Sequence, residues 1–234
     1  MAQLSTKDRE TAFRLYLILG ALFIASLVSC NLIFRKFFTW TVFSEDFYTF
    51  EQSVGILPYP ITFLLTDLIS ELFGAKRANQ IVVAGLLSSL FVLLIIWVAG
   101  AAPAASWSPV SDGQFDHVFG QTALAVGASM CAYLIAQFVD IRVFHYLKKL
   151  TKGRHLWIRN NFSTITSQLI DTFTVIALLC LLGEIEWALF WTLLLNGFLF
   201  KMLVAAFDTP FFYLTTWLAR RRFKLKVGEE LELI

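Results

Sequence analysis

Charge is scarce in this chain: 15% of its 234 residues are Asp, Glu, Lys or Arg, against roughly 25% in an average soluble domain. With 58% hydrophobic residues and a mean hydropathy of +0.70, that scarcity excludes an ordinary soluble fold and indicates a membrane protein. A net charge of only +2 on such a chain leaves no basic surface for nucleic acid, and no nucleic-acid partner is expected. Cysteine is also sparse. Cys30, Cys131 and Cys180 sit inside apolar runs without Cys-x-x-Cys or Cys/His spacing, which excludes a disulfide framework and a zinc site and leaves them as small apolar residues. No His-Glu-x-x-His, Gly-x-Gly-Asp or phosphate-cradling glycine loop occurs, so nothing indicates an intramembrane enzyme, a metal or a cofactor.

What the chain does have is long apolar runs. A bilayer core needs about 20 predominantly apolar residues per helix, and six runs approach that, at about 13–34, 56–74, 79–100, 118–147, 162–183 and 187–218. The expected fold is all-α, a polytopic membrane protein with six transmembrane helices in a single domain over 1–234. Leu27-Val28-Ser29-Cys30 has the form of a lipoprotein cleavage site behind a basic start, yet the run continues to Phe34 and five more spans follow. Residues 35–55 carry seven aromatics with Glu45, Asp46 and Glu51, which predicts an interfacial cap on the outer side. Pro58 and Pro60 fall in the first turns of the second span, where proline is tolerated. Residues 101–117 are expected to form a loop. Asp208-Thr209-Pro210 looks like a helix restart with Asp208 as cap, predicting a break in the last span.

The distribution of charge orients the array. With both termini and the connections at 75–78 and 148–161 cytoplasmic, that side collects 16 of the 19 Lys and Arg, and the outer side keeps Arg35 and Lys36 against seven acids. This is a positive-inside pattern for a multi-pass protein surrounded by membrane lipid.

Polar residues inside the spans mark a site, because ionised groups are costly in a membrane. Gln137-Phe138-Val139-Asp140 and Gln168-Leu169-Ile170-Asp171 both place an amide and a carboxylate at i and i+3, on one helix face. Counted from the cytoplasmic helix ends, Asp140 and Asp171 fall at matching depth, so both faces are expected to look into one cavity. Asp67 and Glu71 lie at i and i+4 on the second span and Lys201 lies in the sixth. Four interior acids against one interior base predict a deficit of positive charge, to be met by protons or a ligand. Arg142 is a candidate structural partner for a carboxylate, and Arg159 marks the cytoplasmic mouth.

Tyr59-Pro60-Ile61-Thr62-Phe63-Leu64-Leu65-Thr66-Asp67 with Glu71 and Gly74, Gln137-x-x-Asp140, and Arg159-Asn160-Asn161-x-Ser163-Thr164-x-x-Ser167-Gln168-x-x-Asp171-Thr172 together resemble the queuosine precursor transporter family, also called the vitamin uptake transporter family. The resemblance implies a six-helix protein of the bacterial inner membrane that imports 7-deazaguanine bases such as preQ0 and preQ1 for transfer-RNA modification. The substrate-binding residues it implies are Asp67, Glu71, Gln137, Asp140, Asn161, Thr164, Ser167, Gln168, Asp171 and Lys201. A guanine-like edge offers N–H donors beside a carbonyl, which a carboxylate and a glutamine amide can match, and Asp171 with Gln168 is the expected reader. Tyr59, Phe63, Phe138 and Phe173 are candidates for stacking on the flat ring. The alternative is the substrate-binding subunit of an energy-coupling-factor vitamin importer, docked through the small residues Ala21, Ala25 and Ser29. A homo-oligomer is left open.

Overall fold

The computed structural model describes residues 6–34, 36–42, 48–120, 123–152, 154–183 and 185–232. Helix α1 (Thr6–Ile33) leads into a β-hairpin of β1 (Phe37–Val42) and β2 (Tyr48–Ser53). A single 3-10 turn (Val54–Ile56) follows, then α2 (Tyr59–Phe73), α3 (Ala75–Gly100), the short α4 (Asp112–Phe119), α5 (Ala123–Leu150), α6 (Leu156–Leu181) and α7 (Phe190–Phe223). Five helical segments, 6–33, 54–73, 75–100, 156–181 and 187–223, are long and apolar enough to cross a membrane. The molecule is a largely helical multi-pass membrane protein.

Side-chain contacts give the helices alternating directions. Tyr16 meets the Arg77 carbonyl while Gly85 meets Phe23, so α1 and α3 run the same way. Asp140 meets Ser167 while Phe144 meets Arg159, so α5 and α6 are antiparallel. Asp171 meets Lys201 while Asn161 meets Thr209, which makes α6 and α7 antiparallel as well. Asp8 and Arg222 form an ion pair at 2.9 Å, so the described ends of α1 and α7 share one end of the bundle. That end also receives Lys148, Arg159 and Arg220 and is called the basic end below.

Helix α2 is central. It packs against α1, α3, α5 and α7, and 67% of its apolar window is buried inside the protein, against 17–39% for the other four candidate spans. Its first turn accommodates Pro60, which needs no intrahelical N–H partner there. Gly74 then reverses the chain directly into α3 at φ 83°, a left-handed conformation that costs a residue with a Cβ roughly 1–2 kcal/mol. The outward faces of α1, α3 and α7 expose Leu22, Leu87, Phe91, Trp97 and Leu203, as lipid as solvent requires.

Several sequence expectations are corrected. The aromatic segment after α1 is an antiparallel hairpin, with Phe37 opposite Ser53 and Val42 opposite Tyr48, because Phe-Phe-Thr-Trp-Thr-Val is rich in the aromatic and β-branched residues that suit a pleated surface. The rest of the regular structure is helical, as expected of an all-α membrane protein; Glu45 and Asp46 lie outside the described residues. Residues 112–117, expected in a loop, belong to helix α4, which is started by a capping box between Ser111 and Gln114. Helix α7 runs unbroken through Pro210, so Asp208 is a mid-helix residue rather than a cap. Arg142 is exposed, as are Ala21, Ala25 and Ser29. The connection between α5 and α6 shrinks to residues 151–155, and this changes which residues meet inside.

Candidate functional site

Three polar layers lie along the bundle axis. The layer toward the hairpin borders a cavity of about 260 Å3 enclosed by α1, the 3-10 turn, α2, α5, α6 and α7. Its walls are largely apolar, from Leu27, Ile56, Met130, Val175 and Leu179, and its polar side chains are few: Asn31, Ser53, Tyr59, Ser129, Tyr133, Asp171 and Lys201. Such a cavity, an apolar chamber with a small set of placed polar groups, is what small-molecule sites look like. The ammonium of Lys201 bonds the Asp171 carboxylate at 2.5 Å and stands 4.6 Å from the centroid of the Tyr59 ring. Tyr59 in turn meets Tyr133 edge-on at 6.3 Å. The hairpin reaches this layer through Trp40, which meets Phe200 of α7 edge-on.

One helical turn nearer the basic end lies a layer whose residues do not line that cavity. Asp67 and Asp140 approach one another here, each bound to a hydroxyl on the same stretch of α6. Ser167 donates to Asp140 Oδ1 at 3.0 Å and Thr164 to Asp67 Oδ2 at 3.5 Å. Thr66 donates to Gln137 Oε1 at 3.2 Å. All six side chains are buried. They come together because α2 carries Thr66 and Asp67 at the centre of the bundle while α5 and α6 each present one polar face to it. A crevice of about 10 Å3, room for roughly one water, runs beside this layer between α2, α6 and α7 and is bordered by Asp67, Asn160, Thr164, Gln168, Lys201 and Asp208. Lys201 therefore borders both the cavity and the crevice.

The third layer closes the basic end. Glu71 is ion-paired with Arg159 at 3.0 Å, with Lys148 at 3.6 Å and with Arg220. Glu71 is 1% exposed and Arg159 0% exposed, and the Arg159 guanidinium also stands over the Phe144 ring at 5.3 Å. The chain after α7 folds back beneath this cluster. Leu231 N–H donates to the Leu72 carbonyl at 2.6 Å, Glu230 pairs with Lys148 at 2.9 Å, and Leu225 and Leu231 are buried.

A family model described as a putative vitamin uptake transporter matches residues 53–215, from the end of β2 into α7. The chain belongs to this family. Among its relatives, a probable queuosine precursor transporter of Bacillus subtilis strain 168 is 27% identical over 69% of this chain and 70% of its own length. The queuosine precursor transporter of Escherichia coli K12 is 29% identical over 53% of this chain and 52% of its own. A probable queuosine precursor transporter of Haemophilus influenzae Rd is 30% identical over 56% and 52%. No solved structure matches the chain.

In this member of the family the residues singled out from the sequence divide among the layers. Asp171 and Lys201 face the cavity. Thr164, Gln168 and Asp67 face the crevice. Gln137, Asp140 and Ser167 are enclosed in the middle layer. Glu71 belongs to the basic-end cluster, so the predicted deficit of positive charge does not hold for it. Asn161 bonds Thr209 and the Trp157 carbonyl on the α6–α7 seam, away from the cavity, while its neighbour Asn160 lines the crevice. The expected clamp of two Gln-x-x-Asp faces in one cavity is corrected as well: Asp140 sits opposite Ser167, a turn below Asp171. Of the stacking candidates, Tyr59 lines the cavity, Phe63 the crevice, Phe138 packs on the core and Phe173 faces outward. Tyr133, Asn31 and Ser129 were missed. The signal for Asn31 and Tyr133 is a polar group in an otherwise apolar stretch; Ser129 carries no signal distinguishable from helix packing.

Proposed function

We propose that this protein is a bacterial inner-membrane importer of queuosine precursors, 7-deazaguanine bases such as preQ0 and preQ1, and that it binds them in the cavity beside Asp171. The observation that carries the reading is the Asp171–Lys201 pair on the wall of a mostly apolar chamber, in a chain whose relatives bear the name queuosine precursor transporter. A carboxylate and an ammonium side by side present an acceptor next to a donor. A guanine-like edge presents the complement, two N–H donors next to a carbonyl. Asp171 accepts from the N–H groups and Lys201 donates to the carbonyl, while the Tyr59 and Tyr133 rings border the flat base. Lys201 thus takes the role first expected of Gln168, whose side chain faces the crevice.

Alternating access follows from the same layers. Helix α5, 28 residues long, completes six spans, and the excess of Lys and Arg at the basic end supports placing both termini in the cytoplasm. The cavity lies toward the opposite, outer end, so substrate entering from outside is released inward when the Glu71 cluster parts. The comparisons give no support to the energy-coupling-factor alternative, and transport without a partner ATPase is expected.

The test is calorimetric binding of preQ0 and preQ1 to purified protein, with guanine as competitor, followed by uptake into vesicles containing this protein alone. Binding lost in Asp171→Asn, with the variant still monodisperse, supports the assignment. Wild-type protein that binds neither base sinks it.

A further inference from the structure

The middle layer holds two carboxyl groups and no base. Among the described residues, no Lys, Arg or His nitrogen lies within 4.0 Å of Asp67 or Asp140. The charged groups around the pair are committed elsewhere. On α2, Glu71 is held by Arg159 of α6, Arg220 of α7 and Lys148 of α5. On α6, Asp171 is held by Lys201 of α7, and Asp208 of α7 stands across the crevice. Tyr133 of α5 is the nearby phenol. Oδ1 of Asp67 and Oδ2 of Asp140 accept no hydrogen bond of good geometry among the described residues, although both residues are almost fully buried and Ser163 stands beside Asp140. The buried Oε1 of Gln168, on the same crevice as Asp67, also lacks a donor. Buried acceptors without donors call for a group that brings hydrogen, a bound proton or a water in the crevice.

The geometry points to Asp67 and Asp140 as a proton-binding site whose occupancy couples transport to proton entry. Two buried carboxyl groups side by side with no base cannot both ionise cheaply, and one proton held by the pair removes the repulsion. The step balances simply. A proton from water on the outer side bonds to one carboxylate oxygen and is hydrogen-bonded by the other; on inward opening that O–H bond breaks and the proton leaves to water at the basic end. Lys201 is the link to substrate, because it borders both the cavity with Asp171 and the crevice with Asp67. The inference rests on the chain being a transporter and not on which base it carries.

Two measurements test it. Infrared spectra of the purified protein at neutral pH, compared in H2O and D2O, are expected to show a protonated-carboxyl C=O band that Asp140→Asn and Asp67→Asn each shift or remove and that Asp208→Asn leaves in place. No such band, or a band left unchanged by Asp140→Asn, overturns the proposal; should Asp67→Asn not fold, Asp140→Asn decides. In phosphatidylethanolamine–phosphatidylglycerol vesicles with preQ0 as the probe, an inward acid gradient should raise initial uptake about tenfold and acidify the lumen, and Asp140→Asn should abolish the acidification. Uptake driven by sodium, or indifferent to the gradient, overturns the coupling. A band that behaves as described in protein that transports no preQ0 supports the proton site and rejects the substrate assignment instead.

Discussion

Lys201 stands at once 2.5 Å from Asp171 and 4.6 Å from the centre of the Tyr59 ring, so one ammonium carries the electrostatics of the cavity wall. Both members of the ion pair are largely shielded, with side chains 11% and 5% exposed. Removing one partner of a buried pair leaves an uncompensated charge and costs about 3–5 kcal/mol, whereas replacing both is often close to neutral. Lys201→Met is therefore expected to lower the melting temperature in detergent sharply, and Asp171→Asn combined with Lys201→Met to recover most of the loss. Uptake should stay absent in the double variant, because both hydrogen-bonding roles are gone. A double variant no more stable than Lys201→Met would show that the pair's charges do not set the stability.

The Glu71 cluster makes a different prediction, because one carboxylate serves three cations. Glu71→Gln leaves Arg159 buried without a counter-charge, again a cost of about 3–5 kcal/mol. Arg220, with its side chain 21% exposed, keeps access to water, and its replacement by Ala should cost far less. Arg159→Lys should not restore wild-type stability, since an ammonium cannot reproduce both guanidinium contacts with Glu71 and the stacking on Phe144. Melting temperatures of the three variants rank these contributions, and a loss in Arg220→Ala equal to that in Glu71→Gln would contradict the ranking.

Much of this architecture is legible in the residues, and the failures have identifiable causes. The long apolar runs mark the helices, and the polar residues inside them mark the interior. Depth is where the reading slips. Placing the start of α6 at Phe162 rather than Leu156 leaves Arg159 at the mouth, whereas six more helical residues carry it into the bundle. At the other side of the connection α5 runs on to Leu150 rather than ending at 147, which carries Lys148 into the helix, and Asp140 comes to lie opposite Ser167. Pro210 reads as a break because proline removes an intrahelical bond, yet neighbouring helices and side chains tolerate it in a membrane span. The choice of Asn161 over Asn160 is a rotation of one residue about the axis, which sequence spacing alone cannot decide when both neighbours are amides.

That last point is testable. Asn161 binds Thr209 and the Trp157 carbonyl on the α6–α7 seam, so Asn161→Ala should keep preQ0 affinity within about twofold, each lost hydrogen bond being worth about 1 kcal/mol to stability instead. Tyr133→Ala removes a buried ring from the cavity wall and should weaken binding by tenfold or more, the equivalent of about 1.4 kcal/mol. Calorimetry on the two variants separates the cases, and equal losses would mean that the cavity is not the binding site.

Gly74 both reverses α2 into α3 and lies against the strap that closes the basic end. A methyl group there would stand in the left-handed region at φ 83° and collide with the Glu230 carboxylate. The two penalties are separable. In Gly74→Ala both act, the backbone part being about 1–2 kcal/mol, and the displaced Glu230 also gives up its bond to Lys148. Trimming the collision with Glu230→Ala should then restore only part of the stability, so that Gly74→Ala with Glu230→Ala melts below Glu230→Ala alone. If the double variant instead matches Glu230→Ala, the turn carries no backbone strain and the collision accounts for the whole effect.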